Sequence, residues 1–208
     1  MNRNGKKWSV LPLLVLAAGS IASAQDRPAS DPQPKTEIGQ RKENQQDRIA
    51  QGVKSGQLTA GETANLEKKE ARINAETRAD RAANGGRLTA DEKAQINRQQ
   101  NRLSKQIYRD KHNANTAHYA SNEAGRRQEN QQDQIAQGIK SGQLTAGETA
   151  KLENQQRAIQ HQVAADRAAN GGKLTAGEKA QINKEQNRAS RNIHNQKHNP
   201  RTQPGTKK

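Results

Sequence analysis

Cysteine and phenylalanine are absent from this 208-residue sequence, which holds only two tyrosines and one tryptophan. The lack of cysteine excludes disulfide bonds and thiolate chemistry. With so few aromatic rings, the chain has no series of platforms on which single-stranded bases could stack. Hydrophobic residues make up 29% of the sequence and the mean hydropathy is -1.27, so the stability of the fold depends on few apolar side chains.

Proline is missing from residues 35–199, although Pro32 and Pro34 lie just before this span and Pro200 and Pro204 lie just after it. An internal proline removes a helical hydrogen bond and clashes with the preceding turn, so helices exclude it. The same span is rich in alanine, glutamine, lysine, arginine and glutamate, which favour helix formation. We therefore predict a helical body between two flexible termini.

The N-terminus has the layout of a cleavable secretory signal. It carries Arg3, Lys6 and Lys7, then a mostly apolar run over residues 10–18, and then the small residues of 22–24. The apolar run is too short to span a bilayer, and no later run could do so either. We therefore expect a periplasmic or secreted protein with no transmembrane segment after signal cleavage.

The body of the chain is a tandem duplication. Residues 41–116 align without a gap on residues 127–202, with 50 of 76 positions identical. The predicted domains are a signal peptide over 1–24, a flexible proline-rich linker over 25–40, helical repeats over 41–116 and 127–199 joined by a linker over 117–126, and a basic disordered tail over 200–208.

A ten-residue theme occurs four times, as SGQLTAGETA at 55–64 and again at 141–150, GGRLTADEKA at 85–94 and GGKLTAGEKA at 171–180. In each copy a threonine precedes a glutamate by three residues, which is the spacing of the capping box that starts a helix. The four pairs are Thr59 and Glu62, Thr89 and Glu92, Thr145 and Glu148, and Thr175 and Glu178. Glycines just upstream favour the end of the preceding helix. The first half should therefore have helices ending near residue 55, over 60–84 and over 90–111, and the second half should repeat them.

The large aliphatic residues follow spacings of four and seven, which leave one narrow apolar stripe on each helix. There are nine per half: Ile49, Val53, Leu58, Leu66, Ile73, Leu88, Ile96, Leu103 and Ile107, then Ile135, Ile139, Leu144, Leu152, Ile159, Val163, Leu174, Ile182 and Ile193. We predict an all-α fold of two tandem three-helix hairpins, elongated, marginally stable and steadied by self-association into a homo-oligomer.

Two resemblances bear on the repeated theme. Gly86, Leu88 and Glu92 resemble the second half of an EF-hand loop, which implies calcium binding. The first half of that loop departs from the pattern, because Arg81 and other non-acidic residues occupy the ligand positions, so we predict no calcium site. The Leu-Thr-Ala-x-Glu copies also resemble a variant of the LTxxQ motif of secreted helical chaperones of the bacterial periplasm. That resemblance implies an ATP-independent holdase or envelope-stress role.

Catalytic patterns are lacking, since the sequence has neither a glycine-rich phosphate loop nor a nucleophile motif. His194 and His198 have the four-residue spacing of a helical metal pair, but the equivalent positions of the first half are Tyr108 and His112. The pair is therefore not part of the repeated design. We predict no enzyme activity, no catalytic residue, no cofactor and no metal site.

The formal net charge of +15 at pH 7 is the strongest functional indication. On the third helix of each half, away from its apolar stripe, cations recur at spacings of four, three and four in the first half and of four and three in the second. They are Arg98, Arg102, Lys105 and Arg109 in the first half and Lys184, Arg188 and Arg191 in the second. Such faces could bind polyanions by releasing counterions.

Two functional hypotheses therefore stay open. The first is a non-enzymatic interaction or chaperone-like protein whose partner is a protein or an anionic component of the cell envelope. The second is a polyanion-binding module for extracellular nucleic acid or surface glycan.

Overall fold

The computed structural model describes residues 36–203, so the predicted signal peptide, most of the proline-rich linker and the last five residues lie outside the described part. The described part has six helices and no strand: α1 Glu37–Lys54, α2 Ala60–Ala83, α3 Ala90–Lys111, α4 Glu123–Lys140, α5 Ala146–Ala169 and α6 Ala176–Lys197. None of them has the length and apolarity that a membrane crossing requires. The prediction of an all-α, tandemly duplicated fold is confirmed.

The repeated theme forms the junctions between helices. At the start of α2, the Glu62 N–H donates to Thr59 Oγ1 at 3.3 Å, and the Thr59 N–H donates to Glu62 Oε2 at 3.0 Å. The same reciprocal pair of bonds opens α3, α5 and α6. Just upstream, Gly56 and Gly142 have φ angles of 69° and 71°, the left-handed conformation that ends a helix at little cost in a residue without Cβ.

The first helix of each half begins earlier than the repeat boundaries at residues 41 and 127. Thr36 caps α1 and Asn122 caps α4, each by accepting a hydrogen bond from the backbone N–H three residues later. Salt bridges from Glu37 to Arg41 at 2.6 Å and from Glu123 to Arg127 at 2.9 Å lie along these first turns. Local capping and charge pairing therefore extend both helices into segments predicted to be linkers.

The segment after the third helix returns to the first junction of its own half. The Ala117 N–H donates to the Gly56 carbonyl at 2.8 Å, and the Gln203 N–H donates to the Gly142 carbonyl at 2.9 Å. Gln203 also accepts from the backbone N–H of Ala146 through its side-chain oxygen and is 2% exposed. Residues 117 and 203, predicted to lie in a linker and in a disordered tail, thus belong to equivalent parts of the two repeats.

The two halves share one core. Helix α1 packs against α4 and α2 packs against α5, and these contacts between halves are more extensive than those within a half. One cluster of buried side chains includes Ile49 and Leu66 from the first half and Ile135 and Leu152 from the second. Each half therefore buries part of its apolar stripe against the other half of the same chain.

Candidate polyanion-binding faces

The third helix of the first half, α3, is rotated so that its apolar stripe faces the core. Ile96, Gln100, Leu103 and Ile107 are buried there, against α1 and α2. These residues recur every three or four positions, so they occupy one side of the helix. Residues about half a turn away, which include the predicted cationic stripe, therefore face outward.

Hydrogen bonds hold α3 in this rotation from both sides. On the α1 side, Gln45 Nε2 donates to the Gln100 carbonyl and to Ser104 Oγ, both at 2.7 Å. On the α2 side, Gln95 Nε2 and Gln99 Nε2 donate to the two carboxylate oxygens of Glu76 at 2.6 and 2.7 Å. Hydrogen bonds along both edges of α3 favour the rotation in which these outward residues stay exposed.

That outer face carries the predicted cations of the first half. Arg98, Arg102, Lys105 and Arg109 are all exposed, and none of them forms a salt bridge within residues 36–203. At 1.5 Å per residue, the four charges are spread over about 16 Å of the helix. We call these four residues the α3 face.

Helix α6 repeats the arrangement in the second half. Ile182, Gln186, Ala189 and Ile193 are buried against α4 and α5. On the opposite side, Lys184, Arg188 and Arg191 are exposed and form no salt bridge in the described part of the chain. These three residues, the α6 face, span about 10 Å, because the position equivalent to Arg109 is Asn195.

Helix α6 is hydrogen-bonded to its neighbouring helices along both edges, as α3 is. Gln131 Nε2 donates to the Gln186 carbonyl and to Ser190 Oγ at 2.8 Å, on the α4 side. Asn192 Nδ2 donates to Gln155 Oε1 at 2.9 Å, on the α5 side. Each half therefore has its own cationic face. The two faces do not form one continuous surface, because α3 and α6 make no contact with each other.

A groove of about 650 Å³ between α1 and α4 was not predicted. Equivalent residues of the two halves line it, among them Ala50 and Ala136 together with several charged residues. The charges are mixed, because Asp47 and Asp133 accompany the cations Arg48, Lys54 and Lys140. The 86-residue offset shows that these positions are equivalent in the two repeats. That they lie next to each other follows only from the packing of α1 against α4. Mixed charge makes the groove a weaker polyanion candidate than either face.

The histidine pair near the end of α6 has a structural role. His198 Nδ1 lies 2.7 Å from the carbonyl oxygen of His194, and the two rings are 4.2 Å apart. Tyr108 and His112 repeat both distances at the end of α3. The two halves therefore share this helix ending, while the pair of histidines occurs only in the second half, because Tyr108 stands at the position of His194 in the first.

The EF-hand-like glutamates are engaged in helix capping. Glu92 accepts from the Thr89 N–H at 2.8 Å, and this backbone hydrogen bond lowers the pKa of its carboxyl group. Glu62 Oε1 accepts from Asn113 Nδ2 at 2.7 Å, while its other oxygen serves the capping box. Both carboxylates are thus occupied by donors of the protein itself.

A buried cluster of carboxyl groups lies where α2 meets α5. Burial, followed by the neighbouring charge of Glu70, raises the pKa of Glu67 well above its usual range. Burial also raises the pKa of Glu70 to about 7 and that of Glu153 to about 8. Lys42 of α1 is close enough to Glu70 to interact with it electrostatically, and burial lowers the Lys42 pKa to about 8. Among residues 36–203, no group of three His, Cys, Asp or Glu side chains could hold a metal ion.

Comparison with known proteins finds no match, since no family model, no curated protein and no solved structure corresponds to this chain. The functional proposal therefore depends on the residues and geometry of this chain itself.

Proposed function

We propose that this chain is a non-enzymatic binding protein that holds a linear polyanion on the α3 and α6 faces. The observation that carries the proposal is the set of seven exposed cations on α3 and α6, none of which forms a salt bridge in the described part of the chain. Hydrogen bonds to neighbouring helices fix the rotation of both helices, so that these cations face outward. A cation that already has an acidic partner must lose it before binding a phosphate or sulfate. Within residues 36–203, none of the seven has to break a salt bridge first, although the neighbouring Asp110 interacts electrostatically with Arg109.

The spacing of the charges suits a polymer of regularly placed anions. Duplex DNA carries one negative charge for about every 1.7 Å of its axis, so a 16 Å face spans several phosphates. Binding would release condensed counterions, and this release makes the affinity fall steeply as salt rises. The scarcity of aromatic rings favours recognition of the backbone charge rather than of bases.

The polyanion hypothesis has more support than the chaperone-like one. A holdase binds the exposed apolar segments of its clients and needs an apolar surface to do so. Within residues 36–203, Tyr108 is the one large hydrophobic residue that is exposed, with 59% of its surface accessible to solvent. The secretory signal predicted from the sequence would deliver the protein to the periplasm or the exterior, where extracellular nucleic acid and anionic surface glycans are the candidate partners.

Neutralising the α3 face tests the proposal. The variant Arg98→Gln, Arg102→Gln, Lys105→Gln and Arg109→Gln keeps good helix formers on an exposed surface, so its helicity should be unchanged. Its affinity for duplex DNA and for a sulfated glycan should fall. On duplex DNA, the slope of log affinity against log salt should become shallower by about 1, because the duplex then binds the three cations of the α6 face instead of the four of the α3 face and each phosphate contact contributes about 0.9. The measurement is fluorescence anisotropy over a series of salt concentrations.

A matched control removes the same charge from other exposed positions. The variant Lys68→Gln, Arg87→Gln, Lys151→Gln and Lys173→Gln also loses four positive charges, from residues outside both faces. It should keep most of the salt slope. Equal losses in the two variants would mean that net charge alone drives binding, and unchanged affinity in the α3 variant would refute the proposal. The DNA and glycan measurements also distinguish the two candidate partners.

A further inference from the structure

The α3 and α6 faces lie on separate flanks of one body. Among the six described helices, α3 contacts only α1 and α2, and α6 contacts only α4 and α5. The halves meet through α1 against α4 and α2 against α5, so these four helices lie between the two faces. Since packed helices are about 8–10 Å apart, the axes of α3 and α6 are separated by on the order of 20–30 Å.

We propose that one chain bridges two separate segments of polyanion, one on each face. This inference rests on the proposed function and extends it from binding to cross-linking. A straight duplex that lies along α3 cannot also reach α6, because four packed helices stand between them. Duplex DNA does not bend around so small a body at little cost, since its persistence length is about 150 base pairs. The second face therefore stays open for another polymer segment.

The shared core keeps the two faces apart. Its buried cluster includes residues of both halves, among them Val53 and Leu58 from the first and Ile139 and Leu144 from the second. Two hairpins joined only by a flexible linker could turn both faces toward one polymer. Hairpins fused through a common core cannot, because separating them would expose that core to water.

Bridging has a concentration dependence that simple binding lacks. With polymer in excess, each chain can engage two segments, and the second contact is favoured by proximity once the first segment is held. With protein in large excess, every segment is occupied by its own chain and bridges disappear. The amount of cross-linked polymer should therefore rise and then fall as protein is added.

A two-colour capture assay tests this inference. Short biotinylated duplexes are fixed on beads, and free duplexes of the same sequence carry a fluorophore. The unmodified protein should bring fluorescence to the beads at intermediate concentration and lose it at high concentration. The α3-face variant and the variant Lys184→Gln, Arg188→Gln and Arg191→Gln should each still bind a single duplex in anisotropy, through the remaining face, but capture no second duplex.

The outcomes separate this inference from the proposed function. If the unmodified protein binds no duplex at all, the proposed function fails and bridging fails with it. If it binds duplex but never captures a second one, only the bridging inference is overturned. If both single-face variants still capture a second duplex, association between copies of the chain accounts for the cross-linking, and two faces on one chain do not.

Discussion

Replacing Glu70 with glutamine should stabilise the protein near neutral pH and have little effect in mild acid. The Glu70 side chain is fully buried, and burial raises its pKa from 4.5 to about 7 although Lys42 and Asn74 act in the opposite sense. Glutamine resembles the protonated acid in shape and stays neutral at every pH. The substitution therefore removes the cost of ionising a buried carboxyl group.

The sign of the pH dependence follows from proton binding. The folded state keeps the Glu70 proton up to about pH 7, whereas the unfolded chain loses it near pH 4.5. The contribution of Glu70 to the free energy of unfolding should therefore fall as pH rises between these values and then level off. The difference in pKa corresponds to about 3 kcal/mol, a large part of the roughly 5–15 kcal/mol that stabilises a typical domain.

The second repeat already contains the substitution. Gln156 stands at the position equivalent to Glu70, and its Nε2 donates to Gln131 Oε1 at 3.0 Å. In the first half, Gln45 Oε1 is the equivalent acceptor, and it is buried without a hydrogen-bond partner among residues 36–203. Glutamine at position 70 would offer this acceptor a donor at every pH, whereas the Glu70 carboxyl group offers one only while it is protonated.

Urea unfolding followed by circular dichroism, at several values between about pH 4.5 and about pH 7.5, measures the effect. The Glu70→Gln variant should match the unmodified protein at the acidic end and exceed it by about 3 kcal/mol at the other. Glu129→Gln, at an exposed carboxylate, serves as the control and should change little at either end. Equal stabilities near pH 7.5, or a variant that is less stable throughout, would refute the reasoning.

Three further predictions follow from the helix junctions. Calcium should not change the melting temperature, because Glu62 and Glu92 already accept hydrogen bonds from the protein; a rise of several degrees at micromolar calcium would contradict this. Thr59→Ala should lower the free energy of unfolding by about 1 kcal/mol, measured by urea unfolding, since it removes a capping box; no loss would mean that the box is dispensable. Gly52→Ala should cost about 1–3 kcal/mol in the same assay, because a Cβ there would lie 2.6 Å from the Leu58 side chain; a variant of full stability would show that Leu58 can move aside.

The helices could be predicted from the sequence because the signals that start and end them are local. A capping box needs only a threonine and a glutamate three residues apart, and a helix end needs only a nearby residue that accepts a positive φ. The prediction of a helix over residues 60–84 accordingly differs by one residue from the observed Ala60–Ala83. The cationic stripe on α3 was visible for the same reason, since helical periodicity alone puts Arg98 and Arg102 on one side and Ile96 on the other.

The pairing of the two halves was decided only by the tertiary structure. Contacts such as α1 with α4 join residues far apart in the chain and depend on the shapes of whole surfaces, to which no short pattern corresponds. The core was also hard to predict from the sequence because it contains polar side chains. Glu67, Glu153 and Gln131 are residue types expected on a solvent-facing surface, yet they lie in the core. Their burial follows from the scarcity of large apolar residues, since two narrow stripes cannot fill the space between four packed helices. The same pairing sets α3 and α6 on separate flanks, which periodicity within one helix cannot reveal.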